Sequence, residues 1–398
     1  MSKARSFVGR IGSHLSWTAG AVLAAFGMLT LPVAPASGAT AADVTSGDPV
    51  AYVTNSQLAS VSIYVGAKFT GTINVGAGPT GIAITPDNST AYVADYGFNN
   101  QPAQTVTPIN LKRSLAGKPI AVGVGPLAIA VTPGGRFAVV TLQGTAAHPG
   151  HQVREINLAT RAVSAPVEVG TYPESLAISP DGTTAYVGAF SSAKITPVDL
   201  TTWPPRAETP ILLPGTAPRA IAISSNGAKA YVLDAANATI IPITLSTRKV
   251  GPPVGLVCVA QGSPGCTPSS IVISADGRTA YVAAAGSADV IMLNLPTLTV
   301  AGVLQVGAYP DAVALSGNWL YVGNGASNTL SVFSGLSAPR TVTGVTYPFG
   351  IAVVPGGEST TTASSTAISS PLSGHATVPS GLVTERTQPT PFYGFPEP

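Results

Sequence analysis

The residues best placed to do chemistry follow a recurring Gly-x-x-Pro segment. The residue after the proline changes from copy to copy, and the seven are Thr80, Leu127, Glu174, Arg219, Ser269, Asp311 and Phe349. Glu174, Arg219 and Asp311 form an acid-base-acid set, and paired carboxyl groups can work as general acid and general base. Because only 9% of all residues are charged, these three are a notable share of the ionisable groups.

Two further sets of polar residues accompany this one. Tyrosines stand directly before three of the prolines, and Asn or Asp ends four strands that point to the same side of the molecule. Convergent polar groups around a concave surface are the usual mark of a ligand site. We therefore predict a ligand-binding mouth, without assigning any catalytic residue, from Glu174, Arg219, Asp311, Asp95, Asp234, Asn55, Asn324, Tyr172, Tyr309 and Tyr347.

A structural interpretation of the same residues stays open. Asn and Asp at strand ends often bond to nearby backbone amides, and Arg219 could simply pair with Glu174 of the neighbouring repeat. His148 and His151, in the sequence HPGH, could share a metal only with a third ligand, for which Glu155 is the candidate near in sequence. We predict no metal site, since the third ligand is not established, and no cofactor, since no phosphate-binding loop or haem motif is present. No Ser-His-Asp set can be placed either.

These residues belong to a repeated hairpin, seen most clearly in residues 169–190. An apolar strand, a Pro-Asp-Gly turn and a second strand ending in Tyr-Val recur at intervals of 38–50 residues. Repeats of this length indicate stacked supersecondary units. The first strand of each repeat has a small residue at its centre, and the seven centres are Ala83, Ala130, Ala177, Ala222, Val272, Ala314 and Ala352.

The first strands are apolar on both faces, so protein must cover both faces. This pattern predicts an all-β fold, a seven-bladed β-propeller of four-stranded antiparallel blades with these strands innermost. The repeat array starts at Ala51 with a strand of the second type that has no first strand before it. It ends with a strand of the first type, 351–353, that has no second strand after it. We expect these two strands to pair and close the ring. Pro108, Pro197 and Pro242 in third strands predict bulges or unpaired positions there.

Composition divides the chain into three parts. Residues 1–41 have the charged start, apolar run and small-residue ending of a secretory signal peptide, with an uncleaved anchor as the alternative. Residues 48–355 form the propeller, and 356–398 are a Ser/Thr/Pro-rich segment that we expect to be a disordered tail. The mature chain should be secreted, either extracellular or in the cell envelope, with no transmembrane segment. Cys258 and Cys266 are then expected to form a disulfide that closes a surface loop.

The formal charge of +2 is spread without any basic run, which argues against nucleic acid or an anionic bilayer as a partner. We expect a monomer. Its unknown partner would be a protein or an envelope glycan.

The sequence AYVTN at 51–55, with the repeated P-x-x-[ILV]-[AV]-[IVL]-[ST]-P-D-G-x-x-A-Y-V, resembles the YVTN β-propeller repeat family. The resemblance extends over about residues 49–355. That family includes YncE-like exported bacterial proteins and implies a cofactor-free binding or surface protein. Structural cousins include lactonase-like and virginiamycin lyase-like propellers and amine dehydrogenase heavy subunits, but the D-G-x-x-W-F pattern of the lyases is missing here.

Two functional hypotheses follow from these observations. The favoured one is a non-enzymatic, secreted propeller that binds its partner through the Gly-x-x-Pro mouth or the long loop 141–152. The alternative is a lactonase-like or other hydrolase that uses Glu174, Asp311 and Arg219 in the same mouth.

Overall fold

A computed structural model describes residues 47–98, 101–145, 147–257, 266–335 and 338–356. The predicted signal peptide, Cys258 and nearly all of the predicted tail lie outside the described residues. Within these ranges the one helical segment is a short 3-10 turn at Phe190–Ser192. None of the helices among them is long and apolar enough to cross a bilayer.

The described strands form seven antiparallel sheets, which we number as blades along the chain. Blade 1 contains β1 (Val50–Asn55), β2 (Ser60–Val65), β3 (Lys68–Asn74) and the last strand, β31 (Pro348–Val354). Blade 2 contains β4 (Pro79–Ile84), β5 (Thr90–Phe98), β6 (Gln101–Asn110), β7 (Leu115–Ala116) and β8 (Ile120–Ala121). Blade 3 contains β9 (Pro126–Val131), β10 (Phe137–Gly144), β11 (Pro149–Asn157) and β12 (Val167–Glu168).

The other four blades repeat this order. Blade 4 contains β13 (Pro173–Ile178), β14 (Thr184–Ala189), β15 (Lys194–Asp199), β16 (Arg206–Ala207) and β17 (Ile211–Leu212). Blade 5 contains β18 (Pro218–Ile223), β19 (Lys229–Asp234), β20 (Thr239–Thr244), β21 (Lys249–Val250) and β22 (Val254–Gly255). Blade 6 contains β23 (Pro268–Ile273), β24 (Thr279–Ala284), β25 (Asp289–Asn294) and β26 (Thr299–Gln305), and blade 7 contains β27 (Pro310–Ser316), β28 (Trp319–Asn324), β29 (Thr329–Ser334) and β30 (Arg340–Val342).

The first strand of each blade contacts the first strands of the two neighbouring blades, so these strands form the inner ring. Apolar clusters fill the spaces between adjacent blades, as in the cluster of Tyr92, Ile129 and Val140 between blades 2 and 3. Both faces of each sheet are thereby covered, which is why the strands are apolar throughout. The seven-bladed fold predicted from the sequence is confirmed.

Ring closure also follows the prediction. β31 pairs antiparallel with β1, with Ala51 opposite Val353 and Val53 opposite Ile351. Blade 1 is therefore built from both ends of the propeller, and this pairing leaves no open sheet edge at the junction.

The three prolines in third strands are accommodated on their outer side. Pro108, Pro197 and Pro242 keep regular register with the second strand, each opposite a tyrosine. The fourth strand of these blades is split into two short pieces at that level. Because proline has no N–H to donate, it contributes no donor to the outer strand, which is held there through the proline carbonyl: Pro108, Pro197 and Pro242 accept from the amides of Gly117, Glu208 and Gly251. The expected unpaired position lies on the outer side alone, and no bulge forms against the second strand.

Candidate functional site

A cavity of about 200 Å³ opens at the centre of the ring, where the first strands begin. Its lining has a polar half with Glu174, Arg219 and Asp311, and an apolar half that includes Leu127 and Phe349. Six of the seven residues that follow the repeated prolines therefore line one cavity. The seventh, Thr80, is buried beside it and donates its hydroxyl to the Leu127 carbonyl at 2.9 Å.

A β-bulge turns these side chains into the channel. In blade 4, Pro173 pairs with Ala189 and Ser175 pairs with Gly188, so Glu174 is an extra residue with no partner in the ladder. Arg219 and Asp311 occupy the same bulge position in blades 5 and 7. Bulges re-aim a side chain locally and are common next to active sites. The post-proline position thus presents one variable residue to the cavity from six of the seven blades.

Glu174 and Arg219 form a buried ion pair across the interface between blades 4 and 5. Arg219 Nη1 lies 3.4 Å from Glu174 Oε2, and the exposed fractions of the two side chains are 16% and 3%. Gln143 of blade 3 donates from Nε2 to the other carboxylate oxygen of Glu174 at 3.0 Å. Burial raises the pKa of Glu174, while the Arg219 charge and the Gln143 hydrogen bond oppose that rise.

Asp311 supplies the second carboxyl of the cavity. Burial raises its pKa to about 7, against the lowering effects of Arg219 and of a hydrogen bond from the Tyr347 side chain. A carboxyl group that titrates near neutrality can take and return a proton at working pH. Arg219 stays charged, because Glu174 and Asp311 together hold its pKa above the ordinary value although its side chain is largely buried. The cavity therefore joins a proton acceptor to a fixed positive charge.

The three predicted tyrosines directly precede the prolines and are absent from the cavity lining. Tyr172, Tyr309 and Tyr347 have φ values of 54°, 58° and 46°, and two of the corresponding positions in other blades are glycines, Gly78 and Gly125, at 57° and 64°. A left-handed backbone is strained for tyrosine, and strain of this kind concentrates at functional sites. The Tyr309 and Tyr347 rings lie 6.3 Å apart between centroids. Tyr309 and Tyr347 thus lie next to Asp311, and Tyr172 lies near Tyr96.

The strand-end residues do not join them. Asn55 donates to Ser60 and Ser62 on the third strand of its own blade, and Asn324 bonds in the same way to Thr329 and Ser331. In blade 2, the hydroxyls of the third strand donate to Asp95 at 2.7 and 2.8 Å. These residues are nearly fully buried and are absent from the cavity lining. The structural interpretation of these residues is the one that the fold supports.

Asp234 has the same internal role in blade 5. It accepts hydrogen bonds from the amides of Ala217 and Ala236, and from the Asn237 side chain. All four residues that were predicted for the mouth, Asn55, Asp95, Asp234 and Asn324, thus lie outside the cavity lining. The physical reason is that each side chain is buried and bonds to hydroxyls or amides of its own blade or of the segment leading into it.

Sequence reasoning missed Gln143 and Tyr96. Both occupy the same position of the repeat, where the backbone N–H bonds to the carbonyl of the residue before the proline of the same blade in all seven blades; these residues are Ser56, Tyr96, Gln143, Phe190, Ala235, Ala285 and Gly325. Burial raises the pKa of Tyr96 to about 12, with contributions from Tyr172 and Glu174. The signal was variability: this position changes from copy to copy, as the post-proline position does.

The loop 141–152 is mostly strand. β10 and β11 continue their pairing to Gly144 and Pro149, so a long hairpin replaces the predicted loop. His151 lies 3.3 Å from Glu168 on the outer strand, and Glu155 is buried within the blade. The described residues contain no group of three or more His, Cys, Asp or Glu arranged to hold a metal. The predicted disulfide involves Cys258, outside the described residues, and stays a prediction.

Comparison with known proteins shows the family to which this propeller belongs. A model of the family "Lactonase, 7-bladed beta-propeller" matches residues 69–337, more than half of the chain. The chain belongs to this lactonase propeller family. The match supports the propeller but not the narrower YVTN or YncE-like assignment. A comparison with curated proteins gives no match.

Solved structures similar to this lactonase-family propeller agree in fold. A putative 6-phosphogluconolactonase from Bacteroides uniformis is 16% identical, with a TM-score of 0.65, covering 77% of this chain and 100% of that one. A periplasmic gluconolactonase from Pseudomonas aeruginosa is 17% identical, with a TM-score of 0.63, covering 78% and 99%. Kuenenia stuttgartiensis hydrazine synthase is 19% identical, with a TM-score of 0.64, covering 74% and 94%. At such identities the likeness concerns the fold alone.

Proposed function

We propose that the chain is a lactone hydrolase whose reaction takes place in the central cavity. The observation that carries this proposal is Asp311, a buried carboxyl with a pKa of about 7, beside the permanently charged Arg219. The lactonase family match supports it, as do the named activities of two structural neighbours, a gluconolactonase and a putative 6-phosphogluconolactonase. The substrate class is then a cyclic ester of a sugar acid.

In this mechanism the Asp311 carboxylate takes a proton from a water molecule, whose oxygen attacks the carbonyl carbon of the lactone. The negative charge that develops on the carbonyl oxygen is stabilised by Arg219, in a site with little water. When the ring C–O bond breaks, Asp311 returns the proton to the departing ring oxygen. The product is a hydroxy acid, and no atom beyond lactone and water is consumed.

The remaining polar groups position Asp311 and Arg219. Glu174 holds the Arg219 guanidinium at 3.4 Å, and Gln143 fixes Glu174 from the other side. Tyr347 donates to Asp311 and keeps its pKa from rising further. The binding-protein hypothesis favoured by the sequence uses the same mouth, but the four strand-end residues predicted for it are internal to the blades.

Export of the chain is also part of our proposal. It rests on the charged and apolar N-terminal segment with its small-residue ending.

The decisive experiment replaces Asp311 by Asn. We expect kcat for lactone opening to fall by about 10²–10⁴-fold, because the proton acceptor is lost while the shape is kept. Hydrolysis is followed by proton release, with the spontaneous rate subtracted. Asp95→Asn is the matched control, since Asp95 is another buried aspartate with a raised pKa, about 6, that lies outside the cavity lining. It should retain full activity.

The pH profile provides a second readout. Because Asp311 must be ionised to accept a proton, kcat/KM of the wild type should rise as pH increases through about 7. The profile should lose this step in Asp311→Asn. Failure of the wild type to open any of a panel of γ- and δ-lactones above background would rule out the proposal.

A further inference from the structure

The charges of the cavity distinguish between two kinds of lactone, those with and those without a phosphate group. The cavity is lined by two carboxyl residues, Glu174 and Asp311, and by a single cation, Arg219. With both carboxyls ionised the lining carries a net charge of −1, and with one protonated it is neutral. A phosphate brings nearly two further negative charges. Such groups are normally held by several basic side chains or by a helix N-terminus.

Arg219 is also already engaged. It forms the 3.4 Å ion pair with Glu174, and the charges of both Glu174 and Asp311 act on it. A phosphate would have to compete with a buried carboxylate for this guanidinium and leave that carboxylate uncompensated. Breaking a buried ion pair in this way is costly. The lining offers no second cation, since its other members are hydroxyl, aliphatic and aromatic side chains.

The size of the cavity and the aromatic rings beside Asp311 fit a small uncharged ring. Its volume of about 200 Å³ is below the range of roughly 300–1,000 Å³ that is typical for drug-sized ligands. Leu127, Ile221 and Phe349 give it an apolar side. The Tyr309 and Tyr347 rings, 6.3 Å apart and tilted by 42°, provide aromatic surface next to Asp311. The positive φ of Tyr309 and Tyr347 strains the backbone, whereas glycine occupies the corresponding position in two other blades without this strain.

We infer that the cavity accepts an uncharged monocyclic lactone and excludes its phosphorylated counterpart, with Tyr309 and Tyr347 packed on the ring. This inference rests on the proposed function. It also accounts for product release, because opening an uncharged lactone creates a carboxylate between Glu174 and Asp311. That anion is repelled by the same charges that exclude a phosphate.

The test uses the full chain and two lactams, the cyclic amide of gluconic acid and its 6-phosphate. Lactams keep the ring and carbonyl but resist opening, so calorimetry measures binding without turnover. We expect the uncharged lactam to bind at least about 100-fold more tightly. Equal or tighter binding of the phosphate would overturn the inference, and so would binding of neither. Binding of the uncharged lactam by a protein that opens no lactone would overturn only the hydrolase proposal.

A charge variant sharpens the result. Leu127→Lys places a second cation on the apolar side of the cavity and should reduce the discrimination at least about tenfold. Leu115→Lys is the matched control, because it adds the same charge at a position that is 61% exposed on an outer strand. It should leave discrimination at the wild-type value. An equal change in both variants would mean that the overall charge, and not the cavity, selects the ligand.

Discussion

Two sets of buried polar side chains lie near the same end of the ring and are satisfied in different ways. The strand-end set, Asn55, Asp95, Asp234 and Asn324, finds its hydrogen-bond partners within its own blade or the segment leading into it. The channel trio, Glu174, Arg219 and Asp311, comes from three blades and is held by contacts between blades. One set repeats along the chain and the other does not.

The difference shows how a repeat protein separates structure from chemistry. A repeated polar position comes with its repeated partner, so burial is compensated locally in each blade. The trio has no such partner in its own sheet. Its charges compensate one another, which leaves raised pKa values for Glu174 and Asp311. Perturbed carboxyls in a cleft are typical of catalytic sites. Asp95 also has a raised pKa, so what distinguishes Glu174 and Asp311 is that they line a cavity.

Removing Arg219 should have the largest effect on the free energy of unfolding. Arg219→Met leaves two carboxyl groups buried without a cation, and breaking a buried pair costs about 3–5 kcal/mol. The loss, measured by urea unfolding against wild type, should be full at pH 8. It should be smaller at pH 5, where Asp311, with its pKa of about 7, is protonated in the folded protein.

The comparison for this variant is Asn324→Ala in the strand-end set. It removes uncharged hydrogen bonds to Thr329 and Ser331, so it should cost about 1–3 kcal/mol at either pH. If the loss in Arg219→Met were independent of pH, the trio would not be coupled by charge.

The second prediction concerns the one strand-end acid with a raised pKa. Burial raises the pKa of Asp95 from 3.8 to about 6, so the folded state binds its proton more tightly than the unfolded state. Stability is therefore present below pH 4 and is lost as pH rises through 6. Asp95→Asn, which copies Asn55 and Asn324, should raise the unfolding free energy by about 2–3 kcal/mol at pH 8 and change little at pH 4.

Asp234→Asn tests whether this gain belongs to the site. Asp234 accepts from two backbone amides and from Asn237, so an amide there would oppose the Asn237 donor. The variant should lose about 1–2 kcal/mol. A gain at both positions would show that net charge, and not local bonding, decides the outcome.

The sequence was sufficient for the architecture, because seven apolar strands, their turns and the split blade follow from periodicity alone. It also identified Glu174, Arg219 and Asp311, since the post-proline position varies. It could not choose between neighbouring positions at the strand end. Side chains alternate along a strand, and the bulge at Glu174 shifts that alternation by one residue. Asp95 was therefore placed in the mouth, and Gln143, which bonds to Glu174, was missed.

The smallest effect on the free energy of unfolding is expected at the turns. Replacing Asp by Asn there should destabilise the protein slightly, whereas the same replacement at Asp95 should stabilise it. Asp181 accepts from the Ser179 hydroxyl and from the amide and hydroxyl of Thr183, and these bonds lower its pKa. Its stabilising effect is thus present above the unfolded value and is lost as pH falls below about 4. Asn226 makes the same amide and hydroxyl contacts in blade 5.

Asp181→Asn should therefore lower the unfolding free energy at pH 7 by less than about 1 kcal/mol, as expected for an exposed group, and change nothing at pH 3. Comparison of Asp181→Asn with Asp95→Asn shows whether burial of the carboxyl, and not the Asp-to-Asn exchange itself, decides the change in stability. An identical exchange should stabilise where the carboxyl is desolvated and slightly destabilise where solvent and local donors favour its charge. If both variants shifted in the same direction at pH 7, hydrogen bonding within the repeat would not be what distinguishes the two environments.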